Sequence, residues 1–274
     1  MLNWRALLAT LPLALAACAA EAQPDELLAA ISRARQQCGA TGALRPDARL
    51  DDAARRLSQG ASLERALQGS GYRAQRSFQW NFSGYRSAQA VAQALVPSQC
   101  RSLGDAALRE VGVQRSGNSY WIIAAVPFDP PAAAEANGVA ERVLALVNQA
   151  RGQPRRCGNE SFGPAPPLVL QQQLTQAAVG HAQSMARYGY LEHQGRDGST
   201  PADRADRAGY KWRSIGENVA MGQTTPERVM QDWLHSPEHC ANIMEPRFTE
   251  MGVAYAVNNA SEGGIYWAQS FGRR

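Results

Sequence analysis

Apolar residues in the second half of the chain recur at helical spacing. An amphipathic helix is predicted where this half opens, because apolar positions there lie three or four residues apart: Val139, Val143, Leu146, Val147 and Ala150. A second helix is predicted near residues 171–187, with an apolar stripe formed by Leu174, Ala178, His181 and Met185. This stripe places His181 on the buried face of its helix.

Two short helices and two late strands are predicted further along. Thr200-Pro201 and Thr225-Pro226 each pair an N-cap residue with a proline at the first helical position, and Gly209 closes the first of these helices. Residues 250–257 and 264–271 alternate or carry β-branched and aromatic side chains, which indicates two strands joined by a turn. Strands that follow helices favour a layered α+β fold.

Pro237 separates two histidines that stand four residues apart. Proline lacks an N–H and clashes with the preceding helical turn, so Ser236 is expected to end one helix and cap the next. The break removes the helical spacing that would place His235 and His239 on one face as a zinc-binding pair.

The two halves of the chain share an ordered set of short motifs. The first half carries Cys-Gly, Gly-Tyr, Gly, Cys, Glu-Val-Gly-Val and Tyr-Trp, at residues 38–39, 71–72, 84, 100, 110–113 and 120–121. The second half repeats this order, with Glu-Met-Gly-Val as its fifth motif, at residues 157–158, 209–210, 222, 240, 250–253 and 266–267. Twelve positions separate the tyrosine of Gly-Tyr from the later glycine in both halves, and the later cysteine from the glycine of Glu-x-Gly-Val.

This repetition predicts two copies of one domain. A degenerate, smaller copy is expected at residues 24–128 and a full copy at residues 139–274. Residues 129–138 are rich in Pro, Ala and Gly and are interpreted as the linker.

The N-terminus has the pattern of an export signal. Arg5 precedes an apolar stretch that is too short to span a bilayer and fits the core of a signal peptide over residues 1–22. Residues 15–18 read Leu-Ala-Ala-Cys and resemble a bacterial lipobox, which makes Cys18 the expected lipidation site and membrane anchor. The alternative is cleavage after Ala22. The expected location is the bacterial outer membrane or periplasm, with secretion as the alternative.

Either cleavage leaves an even number of cysteines, which suits an oxidising compartment: Cys38, Cys100, Cys157 and Cys240. Four cysteines allow three connectivities. The symmetry of the two halves pairs Cys38 with Cys100 and Cys157 with Cys240. A thiolate metal site is disfavoured, because the sequence has no Cys-x-x-Cys motif.

The charge pattern argues against a nucleic-acid partner. The formal net charge of +4 is carried almost entirely by arginine, since Lys211 is the only lysine. Basic side chains alternate with acidic ones and form no stripe, as in the run Asp203, Arg204, Asp206 and Arg207. This run is interpreted as a solvated mixed face.

The candidate chemistry lies in the second copy, which holds all four histidines: His181, His193, His235 and His239. Alignment of the halves on their cysteines places Gln99 opposite His239, and alignment on the Gly-Tyr pairs places Gln79 opposite Glu217. The first copy is therefore predicted to be a structural partner without these ionisable groups.

Four motifs follow one another in the second copy: His-Gln-Gly-Arg-Asp-Gly at residues 193–198, Gly-Glu-Asn-Val-Ala at 216–220, Trp-Leu-His-Ser-Pro-Glu-His-Cys-Ala-Asn-Ile at 233–243 and Phe-Thr-Glu-Met-Gly-Val at 248–253. This set resembles the bacterial branch of the CAP superfamily, which also contains cysteine-rich secretory proteins, antigen-five allergens and plant pathogenesis-related proteins. The resemblance covers about residues 139–272. It implies an α-β-α sandwich with a central cleft lined by two histidines and two acidic residues.

The resemblance assigns three of the four cleft positions: His193, Glu217 and His239. The fourth position departs from the family, because Ser236 stands where a second glutamate is expected. Glu238 is adjacent to His239 and would point about 100° away from it on a helix.

Two imidazoles and a carboxylate suit a divalent ion such as Zn²⁺. His193 and His239 are the expected nitrogen ligands, with Glu217 as a further ligand or as a base behind them. A metal would permit water activation, and without it Glu217 and a histidine can act as an acid/base pair. A nucleophilic Ser184 or Ser236 would need a histidine within hydrogen-bond reach.

Three functions are compatible with this trio. The favoured one is a ligand-binding or scaffold module, in which the cleft holds a small molecule or a lipid and the anchor tethers the chain to the cell envelope. The alternative is a metal-assisted hydrolase of peptide, ester or glycan substrates with His193, Glu217 and His239 as catalytic residues. In a third interpretation the trio only braces the cleft by hydrogen bonds.

Overall fold

The computed structural model describes residues 22–274, so the predicted signal segment and Cys18 lie outside the described residues. The chain divides into two compact units, with the boundary between Phe128 and Asp129. The segment interpreted as a linker is shorter than expected. A 3₁₀ helix covers Ala133–Glu135 and an α-helix begins at Ala136, since alanine and glutamate after the proline pair favour helix. No helix within residues 22–274 is long and apolar enough to cross a membrane.

The N-terminal unit has helices on both faces of a mixed sheet. Its elements are α1 (Ala22–Gln37), β1 (Arg45–Pro46), α2 (Ala48–Ser58), α3 (Leu63–Ser70), β2 (Ala74–Ser83), α4 (Ala88–Leu103), β3 (Glu110–Ser116) and β4 (Ser119–Pro127). The strand order is β1-β3-β4-β2, with β1 parallel to β3. Alternate residues of β4 face two apolar clusters, Ile122 and Ala124 towards α1 and α4, Ile123 and Ala125 towards α2.

The C-terminal unit has the same strand order. Its elements are α5 (Ala136–Arg151), β5 (Arg155–Cys157), β6 (Glu160–Phe162), β7 (Val169–Leu170), α6 (Gln172–Tyr188), α7 (Pro201–Arg207), β8 (Ser214–Met221), α8 (Pro226–His235), α9 (Pro237–Met244), β9 (Glu250–Val257) and β10 (Ile265–Arg273). The order is β7-β9-β10-β8, with β7 parallel to β9, and β5 and β6 form a separate ribbon.

Helices cover both faces of the C-terminal sheet. On one face Ala178 and Ala182 of α6 pack against Val219 of β8 and Tyr266 of β10. On the other side α8 and α9 contact β8, α5 contacts β9, and the indole N–H of Trp233 donates to the Val219 carbonyl at 3.3 Å. The unit is therefore a three-layer α+β domain, as predicted.

The predicted helix starts are confirmed. Thr200 caps α7 by accepting from the backbone N–H of Asp203, and Thr225 caps α8 by accepting from that of Arg228. The late strands are also found, as β9 and β10.

The break at Pro237 is confirmed, because α8 ends at His235 and α9 begins at Pro237. The expected cap is wrong in one respect, since Ser236 makes no side-chain capping hydrogen bond to the described helix. Its hydroxyl donates instead to the Glu238 carboxylate at 3.4 Å. This hydrogen bond competes with helix capping for the Ser236 hydroxyl.

The predicted disulfides are confirmed. Cys38 bonds to Cys100 with a Cα–Cα distance of 5.1 Å, and Cys157 bonds to Cys240 at 5.4 Å. Each bond closes a loop within one unit, and the bonded cysteines are 62 and 83 residues apart in the sequence. The second bond holds the start of α9, which carries His239, to strand β5.

Candidate functional site

Glu217 is a buried carboxylate near the middle of the edge strand β8. It pairs with Ser270 of β10. Successive strand residues face opposite sides of a sheet, so Glu217 shares the side of Val219, which packs against α6. A buried carboxylate needs compensating partners.

Arg204 is the main partner of Glu217. Its Nη2 donates to Glu217 Oε2 at 2.7 Å and to the His193 carbonyl at 2.9 Å, and its Nη1 donates to the Ser199 carbonyl at 2.9 Å. Arg204 is 8% exposed, so the interpretation of its acidic and basic run as a solvated face is wrong at this position. Helix α7 turns one guanidinium inward while its neighbour Arg207 stays at the surface.

His193 is the exposed member of the group. Its Nδ1 lies 2.9 Å from Glu217 Oε1, and 55% of its side chain is exposed. A carboxylate paired with a guanidinium accepts hydrogen bonds, so Nδ1 of His193 donates and Nε2 is left for other partners. The hydrogen bond to Glu217 raises the pKa of His193, although burial opposes the shift.

The raised pKa predicts that His193 titrates above the ordinary histidine value of about 6.5. Burial and then the nearby charge of His193 lower the pKa of His239, so it should titrate below that value. The stabilisation from His193 is fully present below the unfolded pKa and is lost as the pH rises through the folded pKa. A two-dimensional NMR titration checks this order, and Glu217→Gln should bring the His193 midpoint down. A His193 midpoint below that of His239 would contradict the assignment.

His239 lies on α9, and its backbone carbonyl lies beside Asn218. The Asn218 amide donates to the His239 carbonyl at 3.2 Å and to Gln269 Oε1 at 3.1 Å. The Asn242 amide donates to the Glu217 carbonyl at 3.1 Å and to Asn218 Oδ1 at 3.0 Å. Adjacent strand residues face opposite ways, so these amides fix α9 on the side of β8 that Glu217 does not face.

His181 adds a third imidazole that the sequence analysis placed in the core. It is 1% exposed, as its position on the apolar stripe predicted. Its Nε2 donates to the Glu192 carbonyl at 2.8 Å and lies 3.8 Å from Glu217 Oε1. Burial lowers the pKa of His181. The neutral imidazole therefore forms the inner wall of the Glu217 group.

The structure joins two members of the predicted trio directly, His193 and Glu217. Both oxygens of Glu217 are occupied by Arg204 and His193. Among the described residues no group of three or more His, Cys, Asp or Glu side chains is arranged to hold a metal ion. The donor set that is left for a metal consists of two imidazoles, His193 and His239.

Neither candidate serine has a histidine partner among the described hydrogen bonds. The Ser184 hydroxyl pairs with the Tyr190 hydroxyl at 2.8 Å, and that of Ser236 donates to Glu238. The geometry that a serine nucleophile needs is therefore not formed here.

A cleft of about 420 Å³ opens in front of His193 and Glu217. Its walls include Pro201 of α7, Ile215 and Gly216 of β8, and Trp212, whose indole N–H donates to Asp206 at 3.2 Å. An imidazole at the mouth and apolar walls behind it are typical of a small-ligand site.

Comparison with known proteins identifies this half of the chain. Residues 144–271 match the model of the family described as CAP: Cysteine-rich secretory protein family. The uncharacterized protein YkwD of Bacillus subtilis is 36% identical over 105 residues, which cover 38% of this chain and 39% of YkwD. The match therefore spans about two fifths of that relative. The C-terminal unit belongs to the CAP superfamily, and YkwD is a bacterial protein to which it is similar.

The solved structure of Na-ASP-1 shows the same fold. Na-ASP-1 has a TM-score of 0.58 at 10% identity, covering 94% of this chain and 92% of its own. An extracellular protein containing a SCP domain from Bacillus anthracis has a TM-score of 0.43 at 22% identity, covering 57% of this chain and 52% of its own. The disulfides are typical of an exported protein.

Proposed function

We propose that the C-terminal unit is a ligand-binding module of the cell envelope, with His193 as its exposed polar contact. The observation that carries this proposal is the occupation of both Glu217 oxygens by Arg204 and His193. A carboxylate that is buried and engaged in this way orients an imidazole, and the imidazole is the group presented to a ligand. The module then binds through His193 Nε2 and the apolar cleft walls.

A small molecule or a lipid is the proposed ligand, because the cleft combines one polar contact with apolar surface around Trp212 and Ile215. The tether is the proposed lipid anchor at Cys18, which would hold the cleft near membrane lipids and other envelope components. Loss of membrane association in Cys18→Ala supports the tether, and retention would contradict it.

A metal site remains a prediction, with two protein ligands in place of three. Zn²⁺ would be held by the imidazoles of His193 and His239, with Glu217 orienting the first of them. Bound there, it would supply a Lewis acid with open coordination positions.

The N-terminal unit is proposed to be the degenerate copy and to act as a scaffold. Gln79 pairs with Ile123, and Glu217 pairs with Ser270. In each unit this partner stands two residues before the residue that pairs with the glutamate of the Glu-x-Gly-Val run. Gln79 and Glu217 therefore hold equivalent positions in their sheets. Gln99 stands at this unit's counterpart of the His239 position, and it accepts a hydrogen bond from the indole N–H of Trp80 at 3.2 Å. Both groups are neutral. These observations support a copy without the ionisable chemistry.

A hydrolase is the second candidate, and the carboxylate–imidazole pair is the observation that favours it, since such a pair can hold a general base in one tautomer. The two functions separate in one experiment on the full chain. Ester and peptide reporter substrates are tested for turnover, and a fluorescent fatty acid is tested for binding. We expect saturable fatty-acid binding that Trp212→Ala weakens about tenfold, and no turnover. Turnover that vanishes in Glu217→Gln would overturn the binding module and establish the hydrolase.

A further inference from the structure

A second, larger cavity lies behind the Glu217 group. It has a volume of about 690 Å³ and is formed by α6, the loop at residues 195–199 and α7. None of its lining residues lines the cleft in front of His193. Its size is that of a site for a small organic ligand.

Two buried nitrogen atoms on the walls of this cavity lack partners. Within the described residues, neither His181 Nδ1 nor Arg204 Nε makes a hydrogen bond, although both side chains are more than nine-tenths buried. Buried polar atoms are normally hydrogen-bonded. Both side chains line the cavity, so a small movement of either would bring its unpartnered atom against a bound molecule.

The chemistry of these two atoms is complementary. His181 Nε2 donates to a carbonyl, so Nδ1 of the neutral imidazole accepts a hydrogen bond. The Nε–H of Arg204 donates one. A hydroxyl group both donates and accepts, so sugar hydroxyls are chemically suited to both atoms.

The other walls suit a ring that carries several hydroxyl groups. Ser184 contributes a hydroxyl, and Tyr188 contributes an aromatic surface that is 51% exposed. Arg196 lies over Tyr188 at 6.0 Å and over Tyr190 at 5.5 Å from the ring centroids. The C–H face of a sugar ring packs on aromatic surface while its hydroxyls bind polar groups.

The charge of the cavity favours a sugar that carries a carboxylate. Glu217 neutralises Arg204, and Asp197 neutralises Arg207 at 2.5 Å. The guanidinium of Arg196 lies on aromatic rings, where it remains able to bind an anion.

We propose that this cavity binds one saccharide unit, with hydroxyl groups at His181 and Arg204, the ring on Tyr188, and Arg196 beside an acidic substituent. The site goes beyond the proposed function of the His193 cleft and does not depend on it.

Calorimetric titration of the full chain with two sugars tests this proposal. N-acetylglucosamine is the neutral ligand, and N-acetylmuramic acid, which carries a lactyl carboxylate on the same ring, is the acidic one. We expect saturable binding of both, with the acidic sugar bound more tightly. Tyr188→Ala should weaken both about tenfold. Arg196→Ala should remove the preference for the acidic sugar, whereas Arg187→Ala, which removes an arginine that also lies over Tyr188 but not in the cavity wall, should preserve it.

Two further readouts separate this site from the cleft and from chance. Trp212→Ala alters only the cleft, so it should leave sugar binding unchanged. The ¹⁵N resonance of His181 Nδ1 should shift when sugar is added, because that atom gains a donor. Absence of saturable binding, binding insensitive to Tyr188→Ala, or binding lost in Trp212→Ala would each overturn the proposal.

Discussion

Replacing Arg204 by methionine is expected to lower the free energy of unfolding of the C-terminal unit by about 3–5 kcal/mol. Methionine fills much of the same space but leaves the buried Glu217 carboxylate without its 2.7 Å partner. A buried charge without a partner destabilises a protein far more than an intact buried ion pair stabilises it. The same change removes the hydrogen bonds that hold the His193 and Ser199 carbonyls. Urea unfolding followed by circular dichroism measures the loss.

Arg207→Met is the matched control, since it removes an arginine of the same helix whose partner Asp197 is exposed. An exposed ion pair contributes little net stability, so the control should unfold close to the parent. Adding Glu217→Gln to Arg204→Met should recover part of the loss, because it removes the stranded charge. Equal effects of the two arginine substitutions would show that Glu217 is not the reason for burying Arg204.

Gly252→Ala is expected to destabilise the same unit by about 3 kcal/mol or more. A Cβ on Gly252 would lie 2.1 Å from the backbone N of Thr175 and 2.2 Å from the carbonyl carbon of Leu174. Both atoms belong to the backbone at the start of α6, so neither can move aside as a flexible side chain would. The helix would have to lift from β9, and α6 carries His181.

Gly138→Ala is the control for this substitution, because that glycine lies in α5 with no atom near the added carbon. Alanine should stabilise the helix there by about 0.5–1 kcal/mol. Thermal unfolding of both variants gives the comparison, and a Gly252→Ala protein as stable as the parent would contradict the close packing of α6 on β9.

Much of the fold was predictable because its signals are local. Thr200 and Thr225 cap their helices through their own side chains, and Pro237 ends a helix by its own geometry. The disulfide pairing followed from a comparison of the two halves. Strand β8 was not predicted, because Gly216, Glu217 and Asn218 are weak strand formers and pairing with β10 decides their conformation.

The candidate site was predictable only in part. The motifs located His193 and Glu217, and these residues form a hydrogen bond. Arg204 was missed because its neighbours in sequence are charged, and only the turn of α7 over β8 buries it. The sequence also cannot report which side of β8 each residue faces once the strand itself is missed. The grouping of His239 with His193 and Glu217 stays a prediction, because the described hydrogen bond at His239 is made by its backbone carbonyl to Asn218.

The central claim is that Glu217 holds His193 with Nδ1 donating and Nε2 presented to the cleft. A long-range ¹H–¹⁵N correlation spectrum of the histidine rings, recorded at a pH where they are neutral, tests it most directly. We predict a proton on Nδ1 of His193 and, as an internal control, a proton on Nε2 of His181, with the His193 preference lost in Glu217→Gln. Added Zn²⁺ should perturb Nε2 of His193 and leave the exposed His235 unchanged. A His193 ring protonated on Nε2, or unaffected by Glu217→Gln, would contradict the account.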